Sequence, residues 1–270
     1  MSATTERYQL AVFLVGSVAL GSLATWVLAR LPVSPVSLVV ALPISYIPAV
    51  LAGLMLHIGG DADDRLAFRR RLTRWRIGLR WYVTGVVLAP AASVVGVVLA
   101  TFWGGKVPTH LGGFALLPLF LITSLGEEIG WRGYALPKLQ HRLNSLTSSV
   151  ILGAAWAAFH WVALGHNPSR PWAYIAVGSV SLIAMSVVMT WLFNRTGGSV
   201  VLMVAVHAMY DVVSIGVIPL AETGLPLPAF TLSGTVLGLI AVVLVLFEGP
   251  HLGSCPRARL RSTPVASRAR

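Results

Sequence analysis

Six ionisable residues within or beside the later apolar runs have the types and spacing to do chemistry. Glu127 and Glu128 close an apolar run from Phe114 to Leu125, and Arg132 follows four residues after the second glutamate. Residues four apart on a helix share a face, so Glu128 and Arg132 can pair. Glu127 points about 100° away and is left free for something else. His160 ends the stretch Trp156-Ala-Ala-Phe159-His160, and His207 and Asp211 sit four apart on one helical face. A charge at mid-bilayer depth costs roughly 2.5–3.5 kcal/mol, less near the interface. Such groups face the interior of a bundle and partner one another, which predicts a single buried cluster. A carboxylate and a histidine around one water form a general base that attacks a carbonyl. A second histidine with a hydrogen-bonding neighbour stabilises the resulting oxyanion. Peptide hydrolysis uses every member of the cluster and needs no serine or cysteine nucleophile. Each feature alone has a structural explanation: a histidine bonded to a backbone carbonyl, a His–Asp pair, an orienting ion pair. The combination in three spans is what points to a site.

The elements that must position these residues follow from composition. Hydrophobic residues make up 56% of the chain, charged residues only 11%, and the mean hydropathy is +0.79. Soluble domains carry roughly 25% charged residues, so this is an integral membrane protein. The expected fold is all-α, a polytopic helix bundle of about eight spans with interfacial amphipathic helices. The expected spans are Leu10–Ala29, Val33–Ile58, Trp81–Trp103, Leu111 into the glutamate pair, Leu146–Leu164, Trp172–Phe193, Val200–Ile218 and Phe230–Phe247. Pro32, Pro35, Pro43 and Pro48 predict a bent second span, with His57 at its end. Asp61 to Tyr82 reads as a basic amphipathic surface helix, with Phe68, Leu72, Trp75, Leu79 and Tyr82 at helical spacing among seven arginines. Leu136, Leu139, Leu143 and Leu146 form a second interfacial stripe, with Lys138, His141 and Arg142 on its polar side. The organisation is then 1–105 N-terminal spans with the basic segment, 106–220 the core carrying the cluster, 221–250 the last span, and a basic, disordered tail over 251–270.

The net charge of +11 does not indicate nucleic acid, because the arginines lie between apolar runs, where they set topology and meet anionic lipid headgroups. With a cytoplasmic N-terminus only Arg30, Lys106 and Arg170 of the 20 basic residues fall outside. That asymmetry predicts both termini in the cytoplasm of a multi-pass cell-membrane protein, and puts Glu127 and Glu128 near the cytoplasmic face. The single cysteine, Cys255, excludes an intrachain disulfide and a cysteine metal cluster.

The three groups resemble the motifs of the CPBP family, the CAAX-processing and bacteriocin-processing intramembrane endopeptidases that include the Rce1-like prenyl proteases. Glu127, Glu128 and Arg132, followed by Gly133, match Glu-Glu-x-x-x-Arg; Trp156 and His160 match Phe-x-x-x-His with the aromatic exchanged; His207 and Asp211 match His-x-x-x-Asn/Asp. The likeness spans about residues 110–220. It implies an eight-helix endopeptidase with Glu127 as water-activating base and His160 helping to hold the water. His207 and Asp211 would support the oxyanion, and Glu128 and Arg132 would be the orienting pair. Asp211 departs from the asparagine of the prenyl proteases, and an anionic carboxylate serves an oxyanion only when protonated or through His207. No His-Glu-x-x-His and no Gly-x-Ser-x-Gly is present. No cofactor is required by this chemistry. Zinc is the alternative, with Glu127, His160 and His207 as ligands and Asp211 behind His207. The expected partners are a peptide or protein substrate, prenylated or not, and membrane lipids. The competing functions are a proton-coupled transporter, in which the cluster is a proton relay, and a non-catalytic membrane scaffold or immunity protein.

Overall fold

Apolar runs of about 20 residues satisfy their own backbone in lipid only as helices or closed barrels, and here they are helices. The computed structural model describes residues 3–30, 42–102, 111–165, 172–217 and 227–254. In chain order the helices are α1 (Ala3–Leu28), α2 (Ile47–Gly59), α3 (Ala62–Leu72), α4 (Leu79–Thr101), α5 (Leu117–Glu128), α6 (Leu136–Gln140), α7 (Ser145–Gly165), α8 (Ala173–Arg195), α9 (Val200–Asp211) and α10 (Leu227–Glu248). Two π-helical segments, Ile129–Ala135 and Val212–Val217, follow α5 and α9 directly.

Six helical stretches among the described residues are long and apolar enough to cross a membrane: Glu6–Leu28, Leu79–Thr101, Leu111–Gln140, Ser145–Gly165, Ala173–Arg195 and Ala229–His251. The other two expected spans appear as shorter apolar helices, Ile47–Gly59 and Val200–Ile215. Pro48 sits in the opening turn of α2, where its missing N–H costs nothing, so a helix can begin there; residues 31–41 of the expected second span lie outside the described residues. Pro32, Pro35 and Lys106 lie outside the described residues, as do the 166–171 loop, most of the 219–228 loop and Cys255.

The bundle packs through small residues. A Cβ on Gly96 of α4 would stand 2.3 Å from the Ser233 backbone nitrogen of α10, and one on Gly153 of α7 would stand 2.8 Å from Ile183 Cα of α8. Without a hydrophobic force between helices in lipid, such close backbone approach is what holds spans together. The core gathers Phe13, Trp131, Leu136, Leu152, Trp156, Met185, Leu192 and Leu202.

Three sequence expectations change. Residues 61–82 do not form one surface helix. Asp61 caps α3 by accepting the Asp64 N–H at 2.8 Å, the helix stops at Leu72, and the chain runs irregularly to Gly78 before α4 begins. Two long-range partners and one local one favour the break: Arg74 Nε donates to Thr196 O at 2.8 Å, the Ser199 hydroxyl donates to Arg74 O, and within the segment the Tyr82 hydroxyl donates to Trp75 O at 2.8 Å. The second leucine stripe is not a separate surface element. Leu136 and Leu139 are buried, because the helical path from Leu111 continues to Gln140. The disorder expected over 251–270 does not begin at residue 251: residues 249–254 are packed, with Leu252 buried and its carbonyl accepting from Asn194 Nδ2 at 3.0 Å. Residues 255–270 lie outside the described residues.

One end of the bundle collects the arginine-rich segments. Lys138 bridges Glu6 of α1 at 3.0 Å and Asp64 of α3 at 2.8 Å, and Arg142 reaches Glu6 at 2.8 Å. Arg195 pairs with Glu248, joining the ends of α8 and α10. Burial pushes the Arg71 guanidinium below its ordinary range while nearby Asp64 opposes the shift, and Arg71 donates to Gly133 O at 3.1 Å. The α8–α9 turn closes here as well. Gly197 and Gly198 have φ of +65° and +90°, and the Gly198 N–H reaches back to Phe193 O at 2.8 Å. The segments near residues 6, 64, 140, 195 and 250 therefore share one end.

Candidate active site

The Glu127–Glu128 pair ends α5 where the helix widens into its π-helical segment. π-bulges are frequent at functional sites. The pair lies about half-way along the 30-residue path Leu111–Gln140, not at its end. The apolar residues Tyr134, Ala135, Leu136 and Leu139 extend the path past the pair. Gly126 and Gly130 let the segment lie against the start of α2: a Cβ on Gly130 would meet Pro48 atoms at 2.4–2.6 Å.

The two glutamates face different neighbours, as their 100° offset requires. Glu128 Oε1 accepts from Arg132 Nη1 at 2.7 Å, with both side chains fully buried. The same oxygen accepts from His207 Nδ1 at 3.0 Å, which ties α5 to α9. Spacing alone did not reveal this second bond, because it depends on how α5 and α9 meet. The other ring nitrogen of His207, Nε2, faces Asp211 Oδ2 at 3.3 Å. Glu127 turns instead towards α7. Its Oε2 accepts the Trp156 indole N–H at 2.7 Å, and its Oε1 lies 4.0 Å from His160 Nε2. His160 Nδ1 is 2.9 Å from Trp156 O. A carbonyl only accepts, so Nδ1 carries the proton, and in the neutral ring Nε2 then presents a lone pair to Glu127. Sequence reading treated Trp156 only as an aromatic in a phenylalanine position; its indole N–H was the signal to follow.

Glu127, Glu128, Arg132, His160, His207 and Asp211 thus come together from α5, the following π-helical segment, α7 and α9. Aromatic rings wall the cluster. Trp156 meets His207 edge-on at 5.0 Å and His160 at 6.0 Å, and the Arg132 guanidinium lies 4.3 Å over the Trp156 ring. Side-chain exposure rises from 0% at Glu128 and Arg132 through 5% at His207 and 9% at Glu127 to 18% at Asp211 and 29% at His160. The accessible side of the cluster is therefore the His160–Asp211 edge. His207 lies eight residues beyond Ser199, about 12 Å from the arginine-rich end at 1.5 Å per residue.

Zinc would need three ligand atoms converging on one point about 2.0–2.1 Å from each. Both His207 nitrogens are instead turned to carboxylates that are not in the ligand set, Glu128 and Asp211. Among the described residues no three His, Cys, Asp or Glu side chains are grouped to hold a metal. Glu127, His160 and His207 do not fit a zinc site in this arrangement.

A family model described as type II CAAX prenyl endopeptidase, Rce1-like, matches residues 109–213, the stretch that carries all six site residues. The CAAX prenyl protease 2 of Methanococcus maripaludis is 24% identical over 195 residues, covering 66% of this chain and 72% of the relative. The chain is a polytopic membrane protein related to the Rce1-like/CPBP superfamily of membrane proteases.

Proposed function

We propose that the chain is an intramembrane endopeptidase in which Glu127 and His160 activate a water for attack on a peptide carbonyl. One observation carries this reading: Glu127 Oε1 and His160 Nε2 stand 4.0 Å apart, both as acceptors. A water about 2.8 Å from each atom subtends an angle near 90° at its oxygen, close to its own bond angle. It donates one proton to each partner and turns its lone pairs away from both, towards a substrate.

The steps balance with these groups alone. The water oxygen bonds to the carbonyl carbon, its proton passes to Glu127, and the carbonyl π electrons move onto oxygen. The resulting oxyanion accepts the His207 Nε2–H, which Asp211 holds only at 3.3 Å. On collapse the C–N bond breaks and the Glu127 carboxylic acid returns its proton to the leaving amine. Glu128, held by Arg132, fixes the His207 ring through Nδ1. Asp211 serves the oxyanion through His207 and not as a direct donor.

The substrate is a peptide or protein segment that reaches membrane depth, held there by an apolar stretch or a lipid. The likeness to the CAAX prenyl protease 2 of Methanococcus maripaludis supports a prenylated CAAX peptide as one such substrate. The gathering of residues near 6, 64, 140, 195 and 250 at one end supports an even number of crossings between them, with both termini on the arginine-rich, cytoplasmic side. The test is cleavage by the purified chain in liposomes, using quenched peptides with and without a farnesylated C-terminal cysteine, in ¹⁸O-water. Hydrolysis of one peptide bond, with ¹⁸O in the new carboxylate, is expected. Proton flux across the liposome membrane with no cleavage of any peptide would support the transporter reading instead.

A further inference from the structure

Trp156 touches more of the cluster than any residue proposed to react. Its indole N–H donates to Glu127 Oε2 at 2.7 Å, its carbonyl accepts the His160 Nδ1–H at 2.9 Å, and its ring edge meets His207 at 5.0 Å. It is 1% exposed, so none of these contacts competes with water. The two hydrogen bonds act on the two groups that would hold the water. One anchors a carboxylate oxygen, which leaves Glu127 a single free oxygen and one direction for it. The other fixes both the tautomer and the ring angle of His160.

The backbone bond would survive any substitution on the same helix. The indole bond would not: phenylalanine fills the same wall but has no donor. Without it the Glu127 carboxylate can rotate about its last torsion, and the 4.0 Å separation from His160 loses its cause. Charge-assisted bonds of this kind are short and directional, and misplacing a reacting group by about 1 Å costs of the order of 100-fold.

Resting on the Glu127–His160 reading, we infer that Trp156 is a positioning residue, whose indole N–H holds Glu127 Oε2 so that Oε1 faces the attacking water. It does not touch substrate. The bond is made in the resting protein and persists through the reaction, so its loss falls on kcat and leaves KM nearly unchanged.

The test compares Trp156→Phe with a variant carrying β-(3-benzothienyl)alanine at position 156, which keeps the bicyclic shape and replaces N–H by sulfur. Cleavage kinetics and melting are measured for both in the same detergent, beside Glu127→Gln. The indole resonance of Trp156 is followed by NMR in ¹⁵N-tryptophan-labelled protein, assigned by its loss in Trp156→Phe. The expected result is a fall in kcat of about 10- to 100-fold in both variants, with KM within about twofold and melting lowered by only a few degrees in the benzothienyl variant, which keeps its folded yield. The Trp156 indole proton should resonate downfield and move upfield in Glu127→Gln. Wild-type kcat in both variants, with Glu127→Gln inactive, would overturn the role of Trp156 and leave the Glu127 reading standing. Activity lost only in parallel with folded yield in both variants would make Trp156 a packing residue and overturn it too. Full activity of Glu127→Gln would overturn the reading itself and this inference with it.

Discussion

Replacing Arg132 by alanine tests whether the buried ion pair organises the site. Both partners have fully buried side chains, and Arg132 Nη1 is 2.7 Å from Glu128 Oε1. Removing one member of such a pair strands a buried charge, at about 3–5 kcal/mol. The cation–π contact with Trp156, 4.3 Å from the ring, adds about 1–2 kcal/mol when desolvated. Glu128 keeps one donor, His207 Nδ1, which puts the expected loss at the lower part of the combined range, about 4 kcal/mol. At about 2–4 °C per kcal/mol for a chain of this size, Arg132→Ala should melt about 8–16 °C lower and give less folded protein. The double variant Glu128→Leu, Arg132→Met should recover part of this, because a buried pair replaced by apolar side chains is near neutral. It should not recover all of it, since His207 Nδ1 then loses its acceptor. Melting in detergent followed by intrinsic tryptophan fluorescence measures both. Arg132→Ala with wild-type yield and melting but no activity would refute the reasoning and make Arg132 a substrate-binding group.

Reporter fusions after residues 70, 140 and 260 should all report cytoplasm, and a periplasmic signal at 140 would break the shared arginine-rich end. Chelators such as EDTA or 1,10-phenanthroline should leave cleavage largely intact, with substoichiometric zinc in the purified chain; one zinc per chain, lost and restored together with activity, would reverse this. Gly130→Ala should destabilise by about 1–3 kcal/mol, because the added methyl meets Pro48 atoms at 2.4–2.6 Å and must push α2 away. An unchanged melting temperature would mean that the α2 contact yields without cost.

The helices and the chemistry-bearing residues were legible in the sequence for one reason: lipid makes polar groups expensive, so the few that remain stand out. The Glu128–Arg132 pair followed from helical spacing alone. The bond from Glu128 to His207 did not, because residues 79 apart meet only through the packing of α5 on α9. Helical periodicity over 61–82 misled, since Thr196 and Ser199 bind the side chain and irregular backbone of Arg74 from far along the chain. The helix also runs on past its carboxylates: positive charge marks where a span ends on average, while Tyr134, Ala135, Leu136 and Leu139 extend this one to Gln140. Leu252 shows the same limit: a buried leucine in a polar-looking tail reveals itself only by its neighbours.

The most direct test of the central claim is peptide cleavage by Glu127→Gln, His160→Ala and the double variant, each reconstituted in liposomes and matched for folded protein. If the two side chains hold one water, each single change abolishes cleavage, and the double variant is no worse than either. Glu127→Gln that folds and still cleaves at the wild-type rate would contradict the account.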